Sequence, residues 1–345
     1  MTRIDAQSPH AHGASEIISQ LQSYFVNALN EITCTMGSNK PFVAVEWFRD
    51  EGLHGGGVRY ESADEQLFNR GSVNYSQVHY DDDPTKKLSS ATAISTIIHP
   101  SNPLVPSMHM HISWTQMRDG SGYWRLMADL NPSNPNSSDT EYFENTLREA
   151  AYTYYDEGRA QGERYFYIPA LCRHRGVSHF YLENFNSGDE VADKNFASSF
   201  GKKIIDTYIG IIKNAIEQRQ EVDDDARNKQ LDYHTLYLLQ VLTLDRGTTS
   251  GLLIHDQNDV GIMGSLPSHV NTRLLKSWGG RLNGVQNDLL QEIVNTLGEG
   301  ERILVDEKTK SALANVVRQH YKLHPNAIAL QASGETIPST VNNHR

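Results

Sequence analysis

The sequence predicts an α+β protein in which helices pack over a large antiparallel sheet. Three observations carry that expectation. Extended runs separated by short turns fill residues 42–131, helical periodicity dominates from residue 138 onward, and no internal repeat or Ser/Gly-rich linker divides the 345 residues. Short connections suit a meander of hairpins, whereas parallel strands would need long crossovers. A single domain over 14–325 is expected, preceded by a flexible polar start at 1–13 and followed by a polar tail at 326–345.

The elements follow in order. Ile17, Ile18, Leu21, Tyr24, Phe25 and Leu29 recur at helical spacing and predict a helix over 14–36. Residues 42–48 read as a strand, and Gly55, Gly56 and Gly57 as a glycine loop. Further strands are expected at 58–61, 73–80, 91–99, 108–117 and 123–130, punctuated by turns such as Asp81-Asp82-Asp83-Pro84 and Asp119-Gly120-Ser121-Gly122. Ser138 or Asp139 caps a helix running to about residue 158, and a strand at 177–185 separates it from a helix ending near Arg219. The apolar stretch 236–244 suits a helix that turns into a strand, and two more helices are expected at 285–297 and 308–321.

Composition narrows the function. Asp and Glu number 42 against 31 Lys and Arg, a net charge of -11, so no overall field favours nucleic acid or an anionic membrane. The two cysteines, Cys34 and Cys172, cannot form a disulfide framework or a Cys-rich zinc site. No apolar run approaches a membrane span and the first residues hold no signal-like core, so a cytoplasmic location is expected. P-loop, dinucleotide, HExxH and Cys-x-x-Cys patterns are absent from the sequence.

Several residues are candidates for chemistry. His54-Gly55-Gly56-Gly57 resembles an esterase oxyanion motif, but no Gly-x-Ser-x-Gly elbow accompanies it. His109 and His111 lie two apart on an expected strand and share a face, with His99 closing the preceding run. They read as metal ligands, as groups flanking a substrate, or as polar residues of a sheet edge. Asp129 ends a strand at a proline turn, where it is a turn cap, a base or an anchor for N–H groups. Arg175 and Arg246 each precede a glycine and can present a planar fork to a carboxylate.

These residues fall within five segments that resemble the oxygen-dependent coproporphyrinogen III oxidases. They are the glycines at 55–57 with Asn69-Arg70-Gly71-Ser72-Val73-Asn74-Tyr75 through His79; Ser95-Thr96-Ile97-Ile98-His99-Pro100 through His109; Ala128-Asp129-Leu130-Asn131-Pro132; Tyr165-Phe166-Tyr167-Ile168 through Arg175-Gly176-Val177; and Leu244-Asp245-Arg246-Gly247-Thr248 through Gly264-Ser265-Leu266-Pro267. The resemblance implies a large antiparallel sheet flanked by helices on both faces. It also implies oxidative decarboxylation of two coproporphyrinogen III propionates to vinyl groups, as a step of haem biosynthesis. Molecular oxygen is the co-substrate and no organic cofactor is implied. By the same resemblance His109, Asp129 and Arg246 are catalytic, with Asp129 on the pyrrole N–H groups. Ser95, His111, Ser113, Arg175 and Asn258 bind substrate, and protonated His109 or His111 adds positive charge. His99 and His109 are the positions left for the divalent metal that some bacterial members use, and a homodimer is implied with 245–267 at its interface. The chain departs from the family where an Asn and an Arg become His111 and Ser113, where an Arg falls near Asn258, and where a His-Arg pair becomes Ala170-Leu171. A family His falls on Glu144, and an Asp-Asp pair on Glu183-Asn184. A relative that binds a tetrapyrrole without this activity, or decarboxylates a different one, is the alternative.

Overall fold

The computed structural model describes residues 2–333. Helix α1 (Pro9–Thr35) starts with Ser8, whose Oγ accepts from the Ala11 N–H, and with proline in the first turn, where a missing N–H does no harm. Six strands follow: β1 (Val43–Phe48), β2 (Gly55–Glu61), β3 (Phe68–His79), β4 (Leu88–Pro100), β5 (Ser107–Met117) and β6 (Gly122–Asn131). After α2 (Ser137–Ala151) and α3 (Tyr155–Tyr165), the small hairpin β7 (Tyr167–Ile168) and β8 (Arg173–His174) leads into β9 (Ser178–Phe185). The chain then runs through α4 (Glu190–Gln218), α5 (Asp224–Thr243), α6 (Arg246–Ile254), α7 (Asp259–Ile262), β10 (His269–Val270) and α8 (Thr272–Ser277). It closes with α9 (Gly284–Leu297), β11 (Ile303–Leu304) and α10 (Glu307–Leu323). Among the described residues no helix is long and apolar enough to cross a membrane.

Strands β1 to β6 and β9 form one seven-stranded antiparallel sheet in the order β1-β2-β3-β4-β5-β6-β9. Its two faces differ in chemistry because alternate residues point to opposite sides. One face presents Val73, Ile94, Met110, Leu126, Ala128 and Phe180 to α1, α2 and α4, whose own stripe includes Phe25, Leu29, Phe143, Phe200 and Ile204. The other face is polar at its centre and is covered by the second apolar cluster, built from α5, α6, α8, α9 and α10 with Ile97 of the sheet. Helices therefore flank the sheet on both faces, as the α+β expectation requires.

Local expectations change in several places. The glycines at 55–57 are not a loop but the start of β2, in register with Trp47 and Phe48 on one side and Ser76, Gln77 and Val78 on the other. A Cβ at Gly55 would sit 2.2 Å from the Gln77 carbonyl oxygen at a φ of +92°, so only glycine fits between these strands. The helix expected to run past residue 151 is broken at Tyr152, whose φ is +46°. Residues 236–244 hold no strand: α5 continues to Thr243, and every residue from Tyr233 to Thr243 is buried. Burial on all sides removes the amphipathic period by which a helix is read from sequence. Asp245 is the cap of α6, its Oδ1 accepting from the Thr248 N–H at 2.5 Å, so the chain after residue 244 opens a new helix. Ala6 at the N-terminus is fully buried, and its N–H donates to Gln77 Oε1. The expected tail is described as far as Ser333, with residues 325–330 in a short 3-10 helix; 334–345 lie outside the described residues.

Candidate active site

Sheet register assembles the site. On the face opposite the α1–α4 core, Ser95 pairs with His111, Ile97 with His109, His109 with Asp129, Asp129 with His179, and Ser113 with Arg125. Directly opposed residues have Cβ atoms about 4.5–5.5 Å apart, so these pairs form one contiguous polar surface. Above it lies a cavity of about 260 Å³ lined from the sheet by Ser95, His109, His111, Arg125 and Glu183, and from the covering helices by Tyr237, Arg246 and Thr248. A second lobe of about 240 Å³ continues past His111 and Arg125 to Ser113 and Asn258. The joined clefts are concave, mixed in polarity and of the size that holds a small molecule.

Behind the cavity wall is a buried ionic knot. Asp129 is fully buried; its Oδ1 lies 2.9 Å from His109 Nδ1, while its Oδ2 accepts from Arg175 Nη2 at 2.6 Å and from Asn131 Nδ2 at 2.6 Å. Arg175 also donates from Nε to Asn131 Oδ1 and lies over the rings of Phe166 and Tyr237, 4.9 and 5.0 Å from their centroids. Burial alone would push the Asp129 carboxyl up, but Arg175 and His109 outweigh it and hold the group well below the usual carboxylate range. An ionised Asp129 orients the His109 ring through Nδ1, leaving Nε2 as the nitrogen free of the carboxylate.

The structure thus brings Ser95, His109, His111, Ser113, Arg246 and Asn258 to the clefts. Two other candidates sit differently. Asp129 does not line the cavity, and both of its oxygens are occupied by protein donors. Arg175 reaches the cavity wall, but its guanidinium is committed to Asp129 and Asn131, because an unpaired carboxylate at that depth would be costly. His111 supplies no positive charge: burial, with Arg125 and His109 nearby, pulls its pKa down to about 3, and its Nε2 pairs with Ser113 Oγ at 3.0 Å.

Positive charge comes from Arg246 and from Arg125, which the sequence reading passed over. Arg246 donates from Nη2 to the Ala332 carbonyl, while its buried Nε and Nη1 have no hydrogen-bond partner; the Glu183 carboxylate stands 3.8 Å from Nη1. Arg125 has a buried Nε without a partner and, among the described residues, no ion pair. Its signal in the sequence was parity, since 125 and 129 share a strand face when 109, 111 and 113 do. Of the acidic side chains at the cavity, Asp245 accepts from Tyr165 Oη and caps α6, whereas Glu183, buried, accepts from Tyr181 Oη at 3.2 Å.

The chain as a whole is similar to known proteins. A match to the coproporphyrinogen III oxidase family spans residues 14–277. The chain belongs to that family. It is 27% identical over 283 residues to the oxygen-dependent coproporphyrinogen-III oxidase of Drosophila melanogaster, covering 75% of this chain and 70% of the relative. To the enzyme of that name from Rickettsia bellii strain OSU 85-389 it is 29% identical over 248 residues, 66% of this chain and 84% of the relative. The mitochondrial human enzyme is 25% identical over 281 residues, 73% of this chain and 59% of the relative. Identity at this level marks a divergent member of the coproporphyrinogen III oxidase family. Directly opposite Ser113, on the next strand, stands Arg125.

The divalent metal implied at His99 and His109 does not fit. His99 is fully buried, with Nδ1 2.9 Å from Ser107 Oγ and its ring enclosed by Tyr233, His234 and Tyr237. His109 is turned onto Asp129, and among the described residues no third ligand gathers with the two.

Proposed function

We propose that this chain is an oxygen-dependent oxidative decarboxylase of a porphyrinogen, with coproporphyrinogen III as substrate. Each turnover converts one propionate: –CH2CH2COOH and O2 give –CH=CH2, CO2 and H2O2. The electron-rich pyrrole supplies the electrons, so the protein's task is to orient the ring, hold carboxylates and move protons. The observation that carries this reading is the gathering of two guanidinia that keep buried nitrogens without a hydrogen-bond partner, Arg125 and Arg246, beside an oriented imidazole on one cavity wall.

In this reading Arg125 and Arg246 bind propionate carboxylates. Each charge-assisted bond contributes roughly 1.5–3 kcal/mol, more than a neutral pair. His109 Nε2 exchanges the proton at the reacting side chain while Asp129, held by Arg175, fixes the tautomer. Asp129 and Arg175 are then positioning residues, and the acceptor for pyrrole N–H groups is Glu183, the carboxylate that lines the cavity without capping a helix. Ser95, Ser113 and Asn258 complete the polar wall. The chain acts as a homodimer in this reading, which light scattering of the purified protein checks.

The test is conversion of coproporphyrinogen III with and without oxygen, followed by chromatography of the oxidised, fluorescent porphyrins. A divinyl product formed only aerobically, with CO2 and H2O2 in equal amounts, is expected. No vinyl product at stoichiometric enzyme would sink the proposal, and tight porphyrin binding without turnover would point to a binding protein.

A further inference from the structure

A second cluster of ionisable groups lies between α3 and β9, and the proposed reaction does not use it. Glu163 stands in the last turns of α3, His174 ends β8 and His179 lies on β9. The Glu163 carboxylate reaches His174 Nε2 at 2.9 Å through one oxygen and His179 Nδ1 at 3.2 Å through the other. One donor atom from each of the three residues lies within 4.8 Å of those of the other two.

The backbone is built to bring them together. Next to Glu163, a Cβ at Gly162 would stand 2.8 Å from the His179 carbonyl carbon, so glycine there lets α3 press against β9. The β7–β8 hairpin carries His174 onto His179, their rings stacked with centroids 5.0 Å apart. His179 is buried and its Nε2 has no hydrogen-bond partner, whereas Glu163 and His174 are half-buried and open to an entering ion.

We propose that Glu163, His174 and His179 form a binding site for a divalent transition metal, with Zn2+ its first expected occupant. Two imidazoles and one carboxylate suit Zn2+, Co2+ or Fe2+ and not Ca2+ or Mg2+, which prefer oxygen throughout. Three protein ligands leave a position for water. The hydrogen-bonded cluster is the metal-free form, and the metal takes the place of the shared protons, so affinity falls as pH falls. The site is distinct from the cavity, which none of the three residues lines, and from His99 and His109. It nonetheless adjoins the ionic knot: Arg175 follows His174 directly, and Phe166 stacks on His179 while meeting His109 edge-on. A metal there ties the hairpin that precedes Arg175 to β9.

The experiment uses the full chain without a histidine tag, stripped with a chelator and titrated with Zn2+ against a chromophoric competitor. Elemental analysis and the visible spectrum of the Co2+ form are read in parallel. One equivalent retained through gel filtration is expected, with affinity reduced more than about 100-fold in both Glu163→Gln and His174→Ala and unchanged in His109→Ala. The first two replace partly exposed side chains, and circular dichroism verifies their folding. Substoichiometric retention, or stoichiometric metal undisturbed by either substitution, overturns the proposal. Neither result bears on decarboxylation, which the product assay reads separately.

Discussion

Asp129→Asn separates a positioning carboxylate from one that touches substrate. The substitution keeps the side-chain shape and removes the charge that Arg175 Nη2 meets at 2.6 Å. Breaking a buried ion pair costs about 3–5 kcal/mol, and the lower end applies because Arg175 keeps Asn131 and its two aromatic partners. A loss of about 3 kcal/mol lowers the melting temperature of a chain this large by roughly 4 °C. The sign with pH follows from the depressed carboxyl of Asp129. Its stabilisation is present above the unfolded carboxyl range, near pH 4, and is lost as pH falls through the folded value, so wild type and variant converge only in strong acid. For catalysis, the asparagine amide can stabilise the wrong His109 tautomer, an effect worth up to about 10^4 in kcat where a carboxylate orients a catalytic histidine. The assay is steady-state oxygen-dependent turnover with substrate affinity measured separately by fluorescence. We expect kcat to fall at least about 100-fold with affinity changed less than about threefold. Affinity lost more than about tenfold with kcat retained would refute the reasoning, because Asp129 would then meet the substrate's N–H groups itself.

Three further outcomes are expected. Arg125→Met removes a carboxylate anchor of about 1.5–3 kcal/mol and raises KM roughly 10- to 150-fold, and the Arg125→Met, Ser113→Arg double variant recovers part of that loss in the same kinetics. His111, with a pKa near 3, takes up a proton on unfolding between that value and the ordinary histidine range, so stability rises with pH across the window; His111→Gln flattens the slope by at most about 1.4 kcal/mol per pH unit in urea titrations from pH 4 to 6. Gly55→Ala places a Cβ 2.2 Å from the Gln77 oxygen at positive φ and lowers thermal stability by more than about 2 kcal/mol, whereas an alanine at Gly37, with open space around it, costs less than half as much by calorimetry.

Legibility in the sequence followed periodicity. The meander from β1 to β6 was readable because its strands alternate and short turns separate them, and α1 and α4 because one stripe of each is apolar. Residues 236–244 failed for the opposite reason, a helix buried all round. Gly55, Gly56 and Gly57 misled because the crowding of three strands and the freedom of a loop select the same residue. In the site, His109 and His111 were found through their spacing of two, yet the partner of Arg175 was not. Whether a guanidinium faces a ligand or a buried carboxylate depends on register between β5, β6 and β9, which no local pattern encodes.

Register also answers the problem set by a net charge of -11. An acidic chain that binds a substrate bearing four carboxylates must create its positive potential locally, by leaving guanidinia unpaired where burial makes each one count. Arg175 cannot serve, since Asp129 already neutralises it. Arg125 can, and its place is informative. A side chain at 113 and one at 125 rise from opposed positions of neighbouring strands on the same face, so either can deliver a guanidinium to the same cleft. Serine at 113 also leaves room for the longer side chain opposite and gives His111 Nε2 a neutral partner. One cleft can therefore draw its guanidinium from either strand, and in this chain the arginine stands at 125.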